Sequence, residues 1–234
     1  MTKMKAILVL NVLLLSLMAN AFEFTPMERE FSASGTQSTQ TFFLENKTPN
    51  AVAIELNMYK RAHALNGKEI RTATNDFFIF PKSVKLGPSE KRAIRVTWQG
   101  PASVSTELAY RLVAEQLNVN ISRVQSDRKG IDIKYTMTYV ASVYVTPDGG
   151  KSDVRVSQVD ARNGVVKVRV DNLGNKHKIL AGSKLVLNSA GGTRVLSDDQ
   201  VPPMQKLNLL ARSSQYFLFR QPQNLKNPRS GEIR

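Results

Sequence analysis

The chain has 234 residues, with 33 Lys and Arg against 19 Asp and Glu, which gives a formal net charge of +14, and it contains no cysteine. This length corresponds to one large domain or two of ordinary size, and 41% hydrophobic content is enough to build a buried core. The lack of cysteine excludes disulfide scaffolds, thiol catalysis and cysteine-ligated metal sites. The basic excess indicates an acidic partner, such as nucleic acid, an anionic membrane or an acidic protein.

The first 21 residues have the pattern of a secretory signal peptide. Lys3 and Lys5 precede an apolar stretch from Ala6 to Met18, and Ala19-Asn20-Ala21 matches a small-residue cleavage site. The alternative is a transmembrane anchor, which needs about 20 apolar residues, more than this stretch has. We therefore predict export with cleavage after Ala21, which argues against nucleic acid as the partner.

From Phe22 onward, apolar and polar residues alternate with a period near two, which is typical of β-strands. In the first part of the chain this pattern predicts seven strands, at residues 24–31, 39–45, 52–59, 76–80, 91–98, 107–117 and 131–145. Turn residues separate them. Seven short strands in about 125 residues is the number expected of an immunoglobulin-like sandwich.

Residues 147–150 interrupt the strand pattern and are predicted to be a linker. Beyond them the predicted strands are 154–159, 165–171, 184–187, 194–196, 206–210 and 215–220, with an Asn-Gly hairpin turn between the first two. We therefore predict an all-β protein with two immunoglobulin-like β-sandwich domains, residues 22–146 and 151–222. Residues 223–234 contain few apolar residues and no periodicity, so a flexible tail is expected there.

No residue pattern supports an enzyme. His63 and His177 are in polar surroundings without metal-ligand or nucleophile spacing, and both are expected at the surface. The sequence has no G-x-S-x-G, no H-E-x-x-H and no Gly-rich phosphate loop, and Glu107 and Glu115 are too far apart on one strand to form a catalytic pair. We predict no enzymatic activity, no cofactor, no metal and no small-molecule substrate.

The segment from Ile131 to Val145 is the most informative part of the sequence. It is about 15 residues long, far beyond the usual five or six of a strand. One face carries apolar residues at alternate positions: Ile131, Ile133, Tyr135, Met137 and Tyr139. Two interpretations stay open, a fully paired last strand of the sandwich or an edge that is donated to a partner. The preceding basic loop, residues 118–130, favours donation because a tight hairpin would not need it.

The first domain also contains short motifs at characteristic spacing. They are Arg29 in the first strand, Phe80-Pro81 followed by Val84-x-Leu86-x-Pro88, Ala93-Ile94-Arg95-Val96, and the alternating strand that ends at Tyr144-x-x-Pro147. With these motifs the chain resembles the periplasmic chaperones of bacterial fimbriae assembled by the chaperone–usher pathway. The resemblance covers essentially the whole mature chain, although the second domain matches only in size and strand character. It implies a structural turn at Pro81.

The resemblance implies two domains that meet at an angle, with a subunit-binding cleft between them. Such a chaperone binds, folds and caps fimbrial subunits by lending its own strand to an incomplete sandwich, a recognition mode established for chaperone–pilin complexes, and delivers them to an outer-membrane usher. The side chains that enter the subunit would be those of the donor strand, Ile131, Ile133, Tyr135 and Met137. Without a subunit, residues 118–130 are either disordered or pair with another copy in self-association.

In this family a cleft arginine and a lysine of the last strand clamp the C-terminal carboxylate of the subunit. Arg29 matches the arginine, with an ordinary surface charge as the alternative. Ser142 stands where the family has the lysine, so a neighbouring cation would have to replace it. The candidates are Arg111, Arg95 and Lys134, and Arg111 is preferred because it lies among apolar residues, where an unpaired charge is costly.

Two alternatives stay open beside this interpretation. Arg95 and Arg111 could instead form ion pairs with Glu107 or Glu115. The protein could also be a secreted immunoglobulin-like adhesin or glycan-binding protein, but Trp98, the only tryptophan, ends a predicted strand and does not lie in a binding loop. A secreted hydrolase is disfavoured by the missing catalytic motifs. The departure at Ser142 and the lack of cysteine indicate a divergent branch of the chaperone family.

Overall fold

The computed structural model describes residues 22–117 and 136–234, and nearly all of their regular structure is β-strand. Ten strands lie in the first domain: β1 (Phe22–Thr25), β2 (Glu28–Phe31), β3 (Thr39–Asn46), β4 (Val52–His63), β5 (Glu69–Ala73), β6 (Phe77–Phe80), β7 (Ser83–Leu86), β8 (Lys91–Trp98), β9 (Leu108–Leu117) and β10 (Thr138–Val145). Eight lie in the second: β11 (Val154–Arg162), β12 (Val165–Asn172), β13 (Lys178–Ile179), β14 (Leu185–Ser189), β15 (Gly192–Leu196), β16 (Asn208–Leu209), β17 (Ser214–Arg220) and β18 (Ser230–Ile233). Two 3₁₀ turns, Thr36–Ser38 and Pro202–Lys206, complete the described regular structure. The all-β prediction is confirmed.

The strands of the first domain form two sheets that pack face to face. The outer sheet has the order β1-β3-β8-β6, and the cleft sheet has the order β2-β10-β9-β4-β5, with β7 also paired to β4. Inward-facing residues of both sheets build one core, in which side chains such as Leu44, Ile54, Ile94 and Leu112 are fully buried. This is the layered architecture of an immunoglobulin-like sandwich.

The second domain has a core of its own. Its sheets have the orders β11-β12-β17 and β15-β14-β18, with a short β13-β16 pair beside them. They enclose a separate cluster of buried side chains that includes Val168, Leu187, Met204 and Phe217. The chain therefore forms two sandwich units.

The first strand differs from the prediction of a single strand at residues 24–31. β1 pairs with β3 in the outer sheet, whereas β2 runs parallel to β10 in the cleft sheet. The two strands are separated by Pro26, which has a fixed φ and no N–H to continue a ladder. This change of sheet places β2 beside the last strand of the domain.

The prediction of a flexible tail at residues 223–234 is wrong. β18 pairs with β14, and Leu225 is buried in the second core. A Cβ at Gly231 would lie 2.5 Å from the carbonyl oxygen of Val186, so the strand can approach β14 this closely only with glycine. The alternating pattern could not reveal this strand because the segment has only two apolar residues, Leu225 and Ile233.

Three of the sequence predictions lie partly or wholly outside the described residues. They are the signal peptide at residues 1–21, the loop at residues 118–130, and the donor-strand positions Ile131, Ile133 and Tyr135, together with Lys134. Of the predicted strand at residues 131–145, the structure shows Thr138–Val145 as β10. No helix among the described residues is long and apolar enough to cross a membrane.

The two domains contact each other through backbone and side-chain hydrogen bonds. The turn of the β4–β5 hairpin reaches the second domain, where the Tyr216 N–H donates to the Leu65 carbonyl at 2.7 Å. Just before β9, at the same end of the cleft sheet, the Glu107 N–H donates to the Asn175 carbonyl at 2.9 Å. Both contacts lie at the same end of the cleft sheet, so the second domain docks against that end.

Candidate functional site

The outer face of the cleft sheet carries an unusual number of charged side chains. Cross-strand neighbours share a face of a sheet. The register places Ser142 opposite Arg111, Arg111 opposite Tyr59, and Arg61 opposite Arg71. The alternate residues of β4 and β9, such as Met58 and Leu112, are buried in the core. Three arginines of three strands are thus brought onto one surface.

Glu69, the first residue of β5, lies at the centre of these arginines. Arg111 donates to Glu69 Oε2 from Nε at 3.0 Å and from Nη2 at 2.6 Å, and Arg71 Nε donates to Oε1 at 2.6 Å. Arg61 Nε lies 2.8 Å from Oε2 without an aligned hydrogen bond. We call Arg61, Arg71 and Arg111 with Glu69 the arginine site. Three guanidinium groups share one carboxylate, so the site has an excess of positive charge.

The electrostatics of the site reflect this imbalance. Burial raises the pKa of Glu69, but hydrogen bonds from Arg111 and Arg71 and the charges of Arg111 and Arg61 outweigh it and lower that pKa to about 2. Burial, and then the charge of Arg111, lower the pKa of Arg61. The carboxylate is held ionised, while the arginines still repel one another. A second anion would therefore relieve the repulsion.

The arginine site is graded from buried to exposed. The side chain of Arg61 is 6% exposed, that of Arg111 17% and that of Arg71 40%. Arg61 Nη1 donates to the hydroxyl of Tyr144 at 3.1 Å, and Arg111 Nη1 donates to Ser142 Oγ at 2.6 Å. The more exposed side of the site, at Arg71 and Arg111, is therefore the side that a ligand can reach.

Among the predicted anchor residues, only Arg111 belongs to this site. Its ion-pair partner is Glu69 and is neither Glu107 nor Glu115. Arg29 on β2 is exposed and lies opposite Val143, whose side chain is buried, so Arg29 is on the other face of the sheet from Ser142 and Arg111.

Arg95 and Pro81 lie on the other side of the first domain. Arg95 is exposed on β8 of the outer sheet, opposite Thr41 and Phe80. Pro81 lies between β6 and β7, where the chain passes from the outer sheet to the cleft sheet. The structure therefore does not bring Arg29, Arg95 and Arg111 together.

The sequence analysis did not identify Arg61, Glu69 or Arg71. Arg61 could have been found from the alternation of β4, since Val52 to Met58 face the core at even positions and place odd positions on the outer face. Glu69 and Arg71 left no such signal, because β5 has no buried residue and reads as a polar loop.

A second carboxylate, Glu107, lies where the two domains meet. Its Oε1 accepts hydrogen bonds from the backbone N–H of His177 at 3.0 Å and from His177 Nδ1 at 2.8 Å, and its Oε2 accepts from Thr146 Oγ1 at 3.2 Å. The imidazole stacks on the ring of Tyr144, with 4.0 Å between the ring centres. We call Glu107, His177 and Tyr144 the Glu107 junction.

Both histidines are buried at the domain boundary, so the surface prediction is wrong for each. The side chains of His63 and His177 are 6% and 7% exposed. His63 Nδ1 lies 2.9 Å from Gln215 Nε2 of the second domain. Their polar sequence surroundings reflect the polar contacts of the interface. No group of three or more potential metal ligands lies together within residues 22–117 and 136–234.

One edge of β10 is partly open, on the side of β10 away from β9. β10 pairs with β9 along its whole length, but β2 pairs only with Ser142–Val145. Among the described residues, no strand pairs with the other edge of residues 138–141. The β2 ladder begins where the Ser142 N–H donates to the Met27 carbonyl at 2.8 Å. The open edge therefore ends at Ser142, the residue that contacts Arg111.

No protein-family model matches the chain, and no curated protein sequence matches it. Solved structures match it in three dimensions. A chain of the CsuC–CsuE chaperone–tip adhesion subunit complex from Csu pili of Acinetobacter baumannii aligns with a TM-score of 0.55 and 16% identity, over 84% of this chain and 89% of that chain. A chain of the SafA pilin–SafB chaperone complex of Salmonella enterica aligns with a TM-score of 0.58 and 10% identity, over 94% of this chain and 98% of that chain.

The chaperone DraB of E. coli gives a similar result, with a TM-score of 0.54 and 9% identity over 92% of this chain and 98% of that chain. Both domains are included in alignments of this extent. The chain therefore has the fold of the pilus chaperones, as the sequence resemblance indicated.

Proposed function

We propose that the protein is a periplasmic chaperone of fimbrial subunits, which adds its own strand to a subunit and holds the subunit's C-terminal carboxylate at the arginine site. The shared fold supports this proposal. The observation that carries it is the position of the open edge, which runs along residues 138–141 and ends beside Arg111.

The end of the open edge favours a chain terminus over a continuing strand. A partner strand that pairs with residues 138–141 cannot continue past Ser142, because β2 occupies the edge from there onward. If that strand runs parallel to β10, its last residue comes beside Ser142. A positive site at this point favours a C-terminal carboxylate over an N-terminal amine, so it also selects the parallel orientation.

The anchor is assigned to Arg111, whose Nη1 reaches Ser142 at the end of the open edge, while Arg61 and Arg71 lie farther from that edge, on β4 and β5. A buried carboxylate needs charge-assisted donors, since its desolvation would otherwise cost several kcal/mol. Arg29 and Arg95 lie on other surfaces of the first domain and are not part of this anchor. The cation that stands in for the family lysine thus comes from β9, and Ser142 supports it with a hydrogen bond.

The donor residues precede the open edge. Met137 is 38% exposed and has the same parity as Tyr139, which packs against Phe22 with 4.9 Å between the ring centres. Ile131, Ile133 and Tyr135 have this parity too, so a continuing strand would present all four donor positions on one side. Each side chain buried in a subunit contributes roughly 1.5–3 kcal/mol.

Delivery to an outer-membrane usher requires a surface that the subunit leaves free. The exposed face of the outer sheet is such a surface, because the subunit is assigned to the cleft sheet. It carries Phe78 and Phe80, which are 50% and 63% exposed, and Arg95 lies opposite Phe80. Exposed aromatic residues beside an arginine are typical of protein-binding surfaces. We assign the usher contact to this face.

The test is co-expression with a small secreted β-protein encoded beside an usher gene. The wild-type chaperone should give a 1:1 complex in size-exclusion chromatography and protect the subunit from degradation. Ile133→Asp and Met137→Asp should each abolish both effects, because a carboxylate would enter an apolar groove. Leu218→Asp, at an exposed apolar position of the second domain, is the matched control and should have no effect. Continued protection by the donor-strand variants would refute strand addition.

A further inference from the structure

We infer that Glu69 is a positioning residue for the carboxylate anchor: it fixes the guanidinium of Arg111 in the orientation that binds the partner's terminal carboxylate. This inference rests on the proposed function. Glu69 contacts Arg111 and does not contact the partner. A carboxylate in an anion-binding site would ordinarily compete with the ligand for the arginines, whereas here it is assigned the role of orienting one of them.

The donor count of Arg111 supports orientation. A guanidinium has five N–H donors in a fixed planar fork. Glu69 Oε2 accepts from Nε and from one N–H of Nη2, and Ser142 Oγ accepts from one N–H of Nη1. Two N–H groups of Nη1 and Nη2 are left for a ligand. Glu69 therefore occupies the Nε side of the guanidinium, and the two free N–H donors are on the terminal nitrogens of Arg111.

The attachment of Glu69 argues against its leaving the site. Glu69 lies opposite His63 in the β4–β5 hairpin. The hairpin is attached to the second domain by the Tyr216 N–H bond to Leu65 O and by the contact of His63 with Gln215. The docked hairpin thus holds the backbone of Glu69 beside the arginines, and rotation of its side chain would break three hydrogen bonds, two from Arg111 and one from Arg71. These contacts favour Glu69 as a resident partner of the arginines.

The charge balance makes the same residue necessary. Arg61 and Arg111 are close enough for the charge of Arg111 to lower the pKa of Arg61. Without Glu69, three guanidinium groups would face one another with no anion between them, and they would separate to reduce the repulsion. Simple Coulomb attraction predicts the opposite outcome for binding, because removal of Glu69 makes the site more positive. Positioning by Glu69 predicts weaker carboxylate binding when Glu69 is replaced, whereas Coulomb attraction alone predicts stronger binding, so one experiment distinguishes them.

The experiment compares two synthetic peptides of alternating threonine and valine that differ only at the C-terminus, a free carboxylate or a carboxamide. Binding to the mature protein is followed by NMR titration. In the wild type the carboxylate peptide should bind at least about tenfold more tightly, as expected for charge-assisted hydrogen bonds. In Glu69→Gln this preference should fall to within about threefold. Glu23→Gln, on β1 of the outer sheet, removes the same charge elsewhere and should keep the full preference.

Each other outcome has a defined meaning. A wild-type protein that binds both peptides equally would refute the anchor itself, and the positioning role with it. An unchanged or increased carboxylate preference in Glu69→Gln, with a normal wild type, would refute only the positioning role. A second readout needs no ligand: the Nε–H signal of Arg111 should be protected from solvent exchange in the wild type and in Glu23→Gln, and that protection should be reduced in Glu69→Gln, where the neutral amide is a weaker acceptor. A loss of stability alone would not change the ratio between the two peptides.

Discussion

The arginine site and the Glu107 junction each contain one carboxylate near the end of the cleft sheet that contacts the second domain. In the junction, Glu107 is 1% exposed, and its two oxygens accept hydrogen bonds from His177 and Thr146. In the arginine site, Glu69 is 20% exposed and is shared by three arginines. Glu107 is buried and each of its oxygens has a hydrogen-bond donor, whereas Glu69 is partly accessible to solvent and is surrounded by more positive charges than it can neutralise.

Under the proposed function, this difference separates a structural cluster from a binding cluster. A buried carboxylate with satisfied hydrogen bonds has nothing to offer a ligand and serves to fix the domains relative to each other. A cluster with unused N–H donors and excess charge is incomplete by itself, and a ligand carboxylate would complete it. Burial of a charged residue is therefore less informative about function than the balance between its donors and acceptors.

The largest expected effect comes from breaking the junction. Glu107→Ala removes the acceptor of the buried His177 N–H groups, and we expect it to lower the free energy of unfolding by about 3 kcal/mol, measured by urea denaturation. Glu107→Gln keeps one acceptor oxygen and should cost less. A loss below about 0.5 kcal/mol in the alanine variant would show that the junction does not contribute to the fold.

The next effect tests whether the two clusters are coupled through Tyr144. Its hydroxyl accepts from Arg61 Nη1 at 3.1 Å and from Asn208 Nδ2 at 2.7 Å, while its ring stacks on His177. Tyr144→Phe keeps the ring and should reduce stability by about 1–2 kcal/mol. A double-mutant cycle with Glu69→Gln should give a coupling energy above about 0.5 kcal/mol. Strict additivity would mean that the clusters are independent.

A smaller effect should appear in acid at the arginine site. The pKa of Glu69 is lowered from 4.5 to about 2 in the folded protein, so the folded state binds fewer protons than the unfolded state in this range. The resulting stability is complete above about pH 5 and is lost as the pH falls toward 2. After screening by solvent, a contribution of about 1 kcal/mol is expected. Between pH 5 and pH 2, the free energy of unfolding should fall by about 1 kcal/mol more in the wild type than in Glu69→Gln, measured by denaturation at each pH. An equal fall in both proteins would contradict the ion pairing.

The smallest effect is expected from an exposed ion pair between the domains. Lys176 Nζ lies 2.9 Å from Glu30, and both side chains are partly exposed. Lys176→Met should change the free energy of unfolding by no more than about 0.5 kcal/mol, because solvent and salt screen such pairs. A change as large as that of Glu107→Ala would mean that the boundary is held by exposed charges more than by the junction.

The sequence predicted the class of fold and one member of the arginine site. Alternating core residues such as Ile54 and Leu56 made the sandwich visible, and a charge among apolar neighbours pointed to Arg111. Glu69 could not be predicted, because β5 is an edge strand without an apolar residue in the core, and its position depends on pairing with β4.

The errors have physical reasons of the same kind. Periodicity does not show which sheet a strand joins, so the change of sheet at Pro26 was missed although the proline was visible. It also does not show a domain interface, where polar residues are buried against polar partners. His177 was therefore expected in solvent, although it is held between Glu107 and Tyr144.

The ladder between β2 and β10 begins at Ser142 and limits how far another strand can pair along the open edge of β10. Because side chains alternate along a strand, one residue inserted between Ala141 and Ser142 would turn every upstream position to the opposite face. Two inserted residues would restore the faces but displace them by about 7 Å. In the proposed complex, the spacing between Ser142 and Met137 would set the length of partner strand that reaches Arg111 while its pockets receive the donor side chains. Such a chaperone would distinguish partners by the length of their last strand as well as by its sequence.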